Sequence, residues 1–264
     1  MEIIEILKNA SQLVYQNVKG IAGTTNAGGD FGIGAGGDVS RNIDMIAEKT
    51  VIDYVKSSGF SCRILGEECG EIQIGDEPQG SIIMDAIDGS TNAVRGVPFF
   101  CCSLAFARGD HISDVTDGVV TDLVRGDTYW ASRNKGAYKN DDRIHVGNTE
   151  QLYRVILLNI SGSTTEDSKK LQPLFENTYT RHFGANALEM ALLACGVADG
   201  FVDLRGKIRV HDLAAGFIIL KEAGGIIHDT NQKSLDGVIN YSTRISFIAA
   251  ANDDIMKEII QYIS

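Results

Sequence analysis

The segment SIIMDAIDGSTNA, residues 81–93, ends an apolar run on Asp85, places Asp88 three residues further on and continues into Gly89–Ser90–Thr91–Asn92. Positions three apart face opposite sides of a continuing strand. The glycine therefore predicts a strand end and a turn that could bring both carboxylates and the Ile87 carbonyl to one point. Three hard oxygen donors suit Mg²⁺, and the Gly89 and Ser90 amides, if they open a helix, would meet a phosphate beside it. The same residues also read as an ordinary turn. Glu67–Glu68 follow the apolar run Ile64–Leu65–Gly66, as a second acidic contribution or as a solvated edge. Asp212 precedes the apolar helix pattern LAAGFIIL, as a third contribution or as an N-cap. The small residues Ala214, Ala215 and Gly216 would let that helix pack closely onto the site. Glu67, Asp85, Asp88 and Asp212 each fall at a strand end or helix start, where loops converge. Four carboxylates with no histidine or cysteine partner point to Mg²⁺ rather than zinc.

The elements that must position these groups are legible in outline. Ile3, Ile4, Leu7, Ala10, Val14 and Val18 recur at helical spacing. A glycine-rich loop, GIAGTTNAGGDFGIGAGGD, follows, and a second helix is predicted from about Asn42 to Lys56, with Asp44 and Glu48 on one face. Cys62–Gly66, Ser81–Asp85, Cys101–Arg108, Thr116–Thr121 and Asp127–Ser132 read as strands, with a hairpin at Lys135–Arg143. After about Glu150 strands and helices alternate: Arg154–Ile160, Asp167–Glu176, Tyr179–Phe183, Ala187–Cys195, Gly200–Leu204, Leu213–Ala223, Phe247–Ala251 and Asp254–Ile263. The expected organisation is an N-terminal α+β half, 1–150, carrying most acidic motifs, and a C-terminal α/β half, 151–264, completing the site.

Composition narrows the chemistry. The 264 residues carry 24 Lys and Arg against 35 Asp and Glu, a net charge of −11. That balance disfavours nucleic acid and anionic membranes as partners. A small phosphorylated substrate remains compatible if metal ions supply positive charge. Five cysteines, with no Cys-x-x-Cys pair, argue against a disulfide framework and for a cytoplasmic location. No run approaches the length of a membrane span.

Gly66–Glu67–Glu68, Asp85-Ala-Ile-Asp88-Gly-Ser90, Asp212-Leu-Ala-Ala-Gly and Lys221-Glu-Ala-Gly-Gly225 together resemble the signatures of the inositol monophosphatase superfamily, from Asp44 to Gly225. The resemblance is strongest to the archaeal-type dual fructose-1,6-bisphosphatase/inositol-1-monophosphatases. It implies a mixed α/β (α+β) fold of layered αβαβα type and an Mg²⁺-dependent phosphomonoesterase acting on fructose 1,6-bisphosphate and inositol 1-phosphate as a homodimer. By the same resemblance, Glu67, Asp85, the Ile87 carbonyl, Asp88 and Asp212 would hold two Mg²⁺ ions, and Asp38 could reach a third. Glu67 and the Asp44–Ser90 pair would orient an attacking water. Asp88, Gly89, Ser90, Gly184, Ala185, Arg205 and Arg209 would contact the substrate, with Lys207 beside the two arginines. The chain departs from the pattern at Ala86, Ser90 and His211, where Pro, Thr and Trp are usual, and at Gly36, where archaeal-type members carry an Asp. Ser90 keeps the hydroxyl, and His211 is expected to pack rather than to bind.

Three other readings compete. Gly32-x-Gly34-x-x-Gly37 matches the dinucleotide-binding glycine pattern, but no convincing strand precedes it. Within the phosphatases, 3′-phosphoadenosine 5′-phosphate is an alternative substrate. A metal-binding scaffold without turnover is the non-enzymatic alternative.

Overall fold

The structure, a computed structural model, describes residues 1–37, 39–148 and 153–264. Asp38 and the expected division near residue 150 lie outside the described residues. Helices α1 (Ile3–Val18) and α2 (Asn42–Ser58) pack on each other through the apolar stripes that the spacing predicts, Leu7, Ala10 and Val14 against Ile43, Ala47 and Val51. Next in the chain come β1 (Cys62–Gly66), β2 (Gly70–Ile74), β3 (Ser81–Asp88), α3 (Ser90–Arg95), β4 (Cys101–Ala107), β5 (Val115–Asp122), β6 (Thr128–Ser132), β7 (Gly136–Lys139) and β8 (Asp142–Ile144). These strands form one sheet in the order β2-β1-β3-β4-β5-β6-β7-β8, antiparallel except for the β1–β3 pair.

The centre of this sheet is buried on both faces, and the period-2 alternation of its side chains sorts them into two cores. Ile82, Met84, Cys102, Leu104, Phe106 and Val119 face α1 and α2. Ile83, Cys101, Ala105 and Val120 face the other way. The second half supplies β9 (Val155–Leu158), α4 (Thr165–Asn177), β10 (Tyr179–Arg181), α5 (Asn186–Ala194), β11 (Gly200–Ile208), α6 (Val210–Glu222), β12 (Ile226–His228), β13 (Ile245–Ala250) and α7 (Asp253–Ile263). Its strands order as β10-β9-β11-β13-β12. Helices α5 and α6 lie between the two sheets, while α4 and α7 pack together beyond the second. The layers therefore run α1/α2, sheet, α5/α6, sheet, α4/α7, the αβαβα stack expected from the sequence. Among the described residues no helix is long and apolar enough to cross a membrane.

Candidate active site

Asp85 and Asp88 reach one cavity by a route the sequence did not predict. The strand does not stop at Asp85; β3 runs on to Asp88. Its register against β4 slips, with Asp85 opposite Ser103 but Asp88 opposite Cys101, three residues matched to two. Such a bulge re-aims one side chain within a paired strand, and it replaces the expected turn. The Asp85 carboxylate accepts the Ile87 N–H at 3.0 Å, and the Ile87 carbonyl accepts the Ser90 hydroxyl at 2.9 Å. Gly89 then leaves the strand at φ 92°, where an added Cβ would stand 3.2 Å from Ala185 Cβ, Gly184 O and Phe100 Cβ. Only glycine suits both the left-handed backbone and that close approach.

Glu67 follows β1, and its turn is clamped from below by Glu48. That buried carboxylate accepts the Glu68 N–H at 2.9 Å and the Cys69 N–H at 2.8 Å. Gly66 permits the clamp, since a Cβ there would meet Glu48 Oε1 at 2.8 Å and Met84 Cε at 2.8 Å. The sequence offered one signal for Glu48, its place four residues after Asp44 on one helix face. The glycine loop lies over the same turn, the Gly36 N–H donating to the Glu67 carbonyl at 2.6 Å. Gly32, Gly34 and Gly37 open no strand–helix unit; an isolated bridge joins Ile33 to Val39.

Asp44 and Asp212 are twins in local geometry. Each is the third residue of its helix and accepts the backbone N–H of the N-cap arginine, Arg41 at 2.8 Å and Arg209 at 3.2 Å. Helix α6 thus begins at Val210, earlier than the expected Leu213, and Asp212 is inside its first turn rather than the N-cap. A carboxylate there satisfies an orphan donor and faces the positive end of the helix dipole.

One carboxylate oxygen each from Glu67, Asp85 and Asp212 lies within 4.8 Å of the others, all three side chains buried. Asp88 stands beside them, with one oxygen held by the Ala187 N–H at 2.6 Å. The cavity they line, about 430 Å³, also receives Ile87, Gly89, Ser90, Gly184 and Asn186. Ala185 is buried against Gly89 and does not line it; its neighbour Asn186 does. Burial, then the charges of Glu67, Asp88 and Asp212, drive the Asp85 carboxyl well above the usual range, against the pull of Arg209. Burial and Asp212 raise Asp88 to about 7. Burial raises Asp44 to about 6, although the Arg41 N–H and the Ser90 hydroxyl oppose it, and its Oδ1 has no hydrogen bond among the described residues. A buried cluster of oxygen donors that resist sharing their negative charge fits a divalent hard cation.

Glu189, behind the Gly184 segment, is fully buried on α5 and accepts the Phe183 N–H at 3.0 Å. Burial pushes it up from 4.5 to about 8. Between those values the folded state holds a proton that the unfolded chain releases, so this contribution is full below 4.5 and disappears as pH rises through 8. Thermal melts in chelator are therefore expected to fall from pH 5 to pH 8.5, by up to about 1.4 kcal/mol per pH unit for this proton. Glu189→Gln should flatten the slope; an unchanged slope would place the proton elsewhere.

The basic residues divide. Arg205 is forked onto buried Asp203, its Nε 3.1 Å from both oxygens, and donates to the Ser161 carbonyl at 2.8 Å. Arg209 lies on Glu67 and Asp212. Lys207 donates to the Gly162 carbonyl at 2.8 Å and Arg244 to the Tyr241 carbonyl at 2.7 Å. All four line a second cavity of about 400 Å³ that shares Asn186, Arg209 and Asp212 with the first. Arg244 escapes a local reading of sequence. The β11–β13 register, Ile208 opposite Ile245, brings it beside Arg209. His211 is buried, stacked on Tyr241 with centroids 5.2 Å apart, and held near pH 4 by burial, so it packs as a neutral ring.

Comparison with known proteins bears on the family and the fold. The sequence profile of the inositol monophosphatase family matches residues 2–264. A fructose-1,6-bisphosphatase/inositol-1-monophosphatase of Methanothermobacter thermautotrophicus is 32% identical over 261 residues, covering 95% of this chain and 92% of its own. A bifunctional NADP phosphatase/NAD kinase of Methanococcus maripaludis is 29% identical over 98% of this chain, which spans 49% of that protein. The crystal structure of an inositol monophosphatase–fructose 1,6 bisphosphatase superposes with a TM-score of 0.87 at 29% identity, over 99% of this chain and 100% of its own. The chain belongs to the inositol monophosphatase family, metal-dependent phosphoric monoester hydrolases of sugar phosphates.

Proposed function

We propose that this chain hydrolyses small sugar and polyol phosphomonoesters, fructose 1,6-bisphosphate and inositol 1-phosphate among them, by direct in-line attack of water with Mg²⁺ as cofactor. The observation that carries this reading is the convergence of Glu67, Asp85 and Asp212 in a cavity that also receives Gly89 and Ser90. Glu67, Asp85, the Ile87 carbonyl, Asp88 and Asp212 would hold two Mg²⁺ ions, which when bound acidify the attacking water and neutralise charge on the departing oxygen. The protein's own groups do the orienting. Rotation of the Ser90 hydroxyl from the Ile87 carbonyl towards Asp44 turns its lone pairs to the cavity, where they accept a hydrogen bond from the attacking water. The Glu67 carboxylate takes the second hydrogen bond of that water. The amides of Gly89 and Ser90 receive the phosphoryl oxygens.

Specificity for a second phosphate falls to the adjoining basic cavity, and the partners found there shift the assignment. Arg205 is neutralised by Asp203, whereas Lys207 and Arg244 donate to carbonyls. Removing both cations, Lys207→Met with Arg244→Met, is expected to lower kcat/KM for fructose 1,6-bisphosphate by roughly 10²- to 10⁴-fold, given about 1.5–3 kcal/mol for each of two charged hydrogen bonds. Inositol 1-phosphate should be little affected. Equal losses on both substrates would remove the second-phosphate role.

The direct test is Mg²⁺-dependent phosphate release from fructose 1,6-bisphosphate, inositol 1-phosphate and 3′-phosphoadenosine 5′-phosphate. The nucleotide is the second reading, favoured by the similarity to an NADP phosphatase/NAD kinase across 98% of this chain. Turnover of the nucleotide alone would keep the metal site and replace the substrate. Mg²⁺ binding with no release from any of the three would favour a scaffold.

A further inference from the structure

Arg209 was expected to meet substrate, yet its guanidinium lies on the acids. Nη1 is 2.6 Å from Glu67 Oε1, Nη2 is 3.4 Å from Asp212 Oδ1 and Nε is 3.5 Å from Asp212 Oδ2. The three side chains are 16%, 10% and 7% exposed, so these contacts are made largely out of water, where a charged pair is strongest. Glu67 and Asp212 are also two of the three carboxylates whose oxygens converge within 4.8 Å. A divalent cation that uses those oxygens and a guanidinium that uses them draw on the same negative charge.

We infer that Arg209 is a tethered counter-cation of the acidic site: it competes with the divalent metal for Glu67 and Asp212, and metal binding turns it toward the basic cavity next door. The tether is visible. Arg209 is the N-cap of α6, and its N–H is fixed to Asp212, so the backbone stays while the side chain can swing. Space for the swing is visible too. Arg209 borders both cavities, and on the basic side stand Gly36 and Gly37. A Cβ on Gly36 would lie 3.0 Å from Nη1 and 2.7 Å from Glu67 Cγ, so the contact of Arg209 with Glu67 requires glycine there. The guanidinium thus stabilises a cluster that would otherwise repel itself, and reaches an anion on the far side only after releasing it. Metal first, phosphate second is the order this imposes, and by linkage each favours the other.

This inference rests on the phosphatase reading, and Mg²⁺ affinity measured calorimetrically without substrate separates the two. Wild type, Arg209→Gln, Arg209→Lys and Arg209→Ala are titrated with Mg²⁺ alone at constant ionic strength. Arg209→Gln is expected to bind about tenfold more tightly than wild type, the equivalent of one charged contact removed from the competitor. Arg209→Lys, which keeps the charge but not the fork, should fall between. Millimolar guanidinium should weaken Mg²⁺ binding to Arg209→Ala back toward wild type and leave wild type unmoved. Circular dichroism in chelator identifies any variant that unfolds, and for such a variant Arg209→Lys decides. Variants that bind Mg²⁺ equally or more weakly would overturn the competition and make Arg209 a support of the loaded site. Wild type that binds no Mg²⁺ would overturn the phosphatase reading and this inference with it.

Discussion

Asp85→Asn is expected to lower kcat/KM by roughly 10³-fold or more, about 4 kcal/mol of transition-state stabilisation, without unfolding the chain. Asp85 is the member of the cluster whose carboxylate feels Glu67, Asp88 and Asp212 together, so it is best placed to be shared between two ions. Asparagine has the same shape and retains an oxygen for the Ile87 N–H, now at 3.0 Å from Asp85 Oδ1. What it removes is one negative charge from a crowded, buried group. Stability in chelator should therefore hold or rise as turnover is lost, because burial and like charges oppose the ionised carboxylate at this position. Phosphate release and thermal melting on the same preparation check both halves. Activity near wild type would remove Asp85 from the metal site. A large fall in melting temperature would mean that the charge serves the fold.

The legibility of this site in the sequence was uneven, for physical reasons that differ by residue. Asp85, Asp88, Glu67 and Asp212 could be picked out because each follows or opens a strong apolar run. Residue type, spacing and boundary coincided there. The means by which Asp85 and Asp88 share a cavity could not be read, since a bulge is a property of two paired strands and the β3 sequence alone is silent about Cys101 and Ser103. Glu48 was visible as a neighbour of Asp44 on one helix face, but its partners are backbone amides 20 and 21 residues away. Arg205 shows the opposite failure. Its charge suggested a phosphate, and only the fold reveals the fully buried Asp203 that already occupies it. Arg244 is separated from Arg209 by a helix and a strand, and becomes its neighbour through β11–β13 pairing. Helix positions match closely wherever periodicity is strong, as in α1 and α2, whereas β3 runs three residues past its expected end. The short strands β2 and β12 lack an apolar run and went unread. Local pattern specifies elements; what meets across layers depends on registers that the pattern does not encode.

Gly118→Val is expected to cost about 3 kcal/mol of stability and with it some of the metal affinity. The reason lies in how α6 reaches the sheet. Ala105, Gly118, Ala131 and Ala137 stand opposite one another across β4, β5, β6 and β7, a row of small side chains on the face that packs against α6. Into this trough α6 sets Ala214 and Ala215, while Gly216 meets Met190 of α5 on its other side. A Cβ on Gly118 would lie 2.5 Å from Ile218 Cγ2, 2.8 Å from Ala215 O and 3.1 Å from Ala215 Cα. The isoleucine can turn aside, but the other two atoms are helix backbone, so the whole of α6 must move. Overpacking against an immovable neighbour typically costs about 1–3 kcal/mol, and valine brings three carbons. For a chain of this size that lowers Tm by roughly 6–12 °C. Since Asp212 lies in the first turn of α6, the shift also draws one carboxylate away from Glu67 and Asp85, and Mg²⁺ affinity should weaken in the protein that remains folded. Gly118→Ala should do both more mildly. Making Ile218→Ala alone and together with Gly118→Ala distinguishes the two obstacles, since the truncation of this core side chain has its own cost. A combined loss well below the sum of the two single losses would show that a side chain was in the way; additive losses are the result expected if the helix backbone sets the limit, and they tie the reach of Asp212 to the absence of a single methyl group on β5.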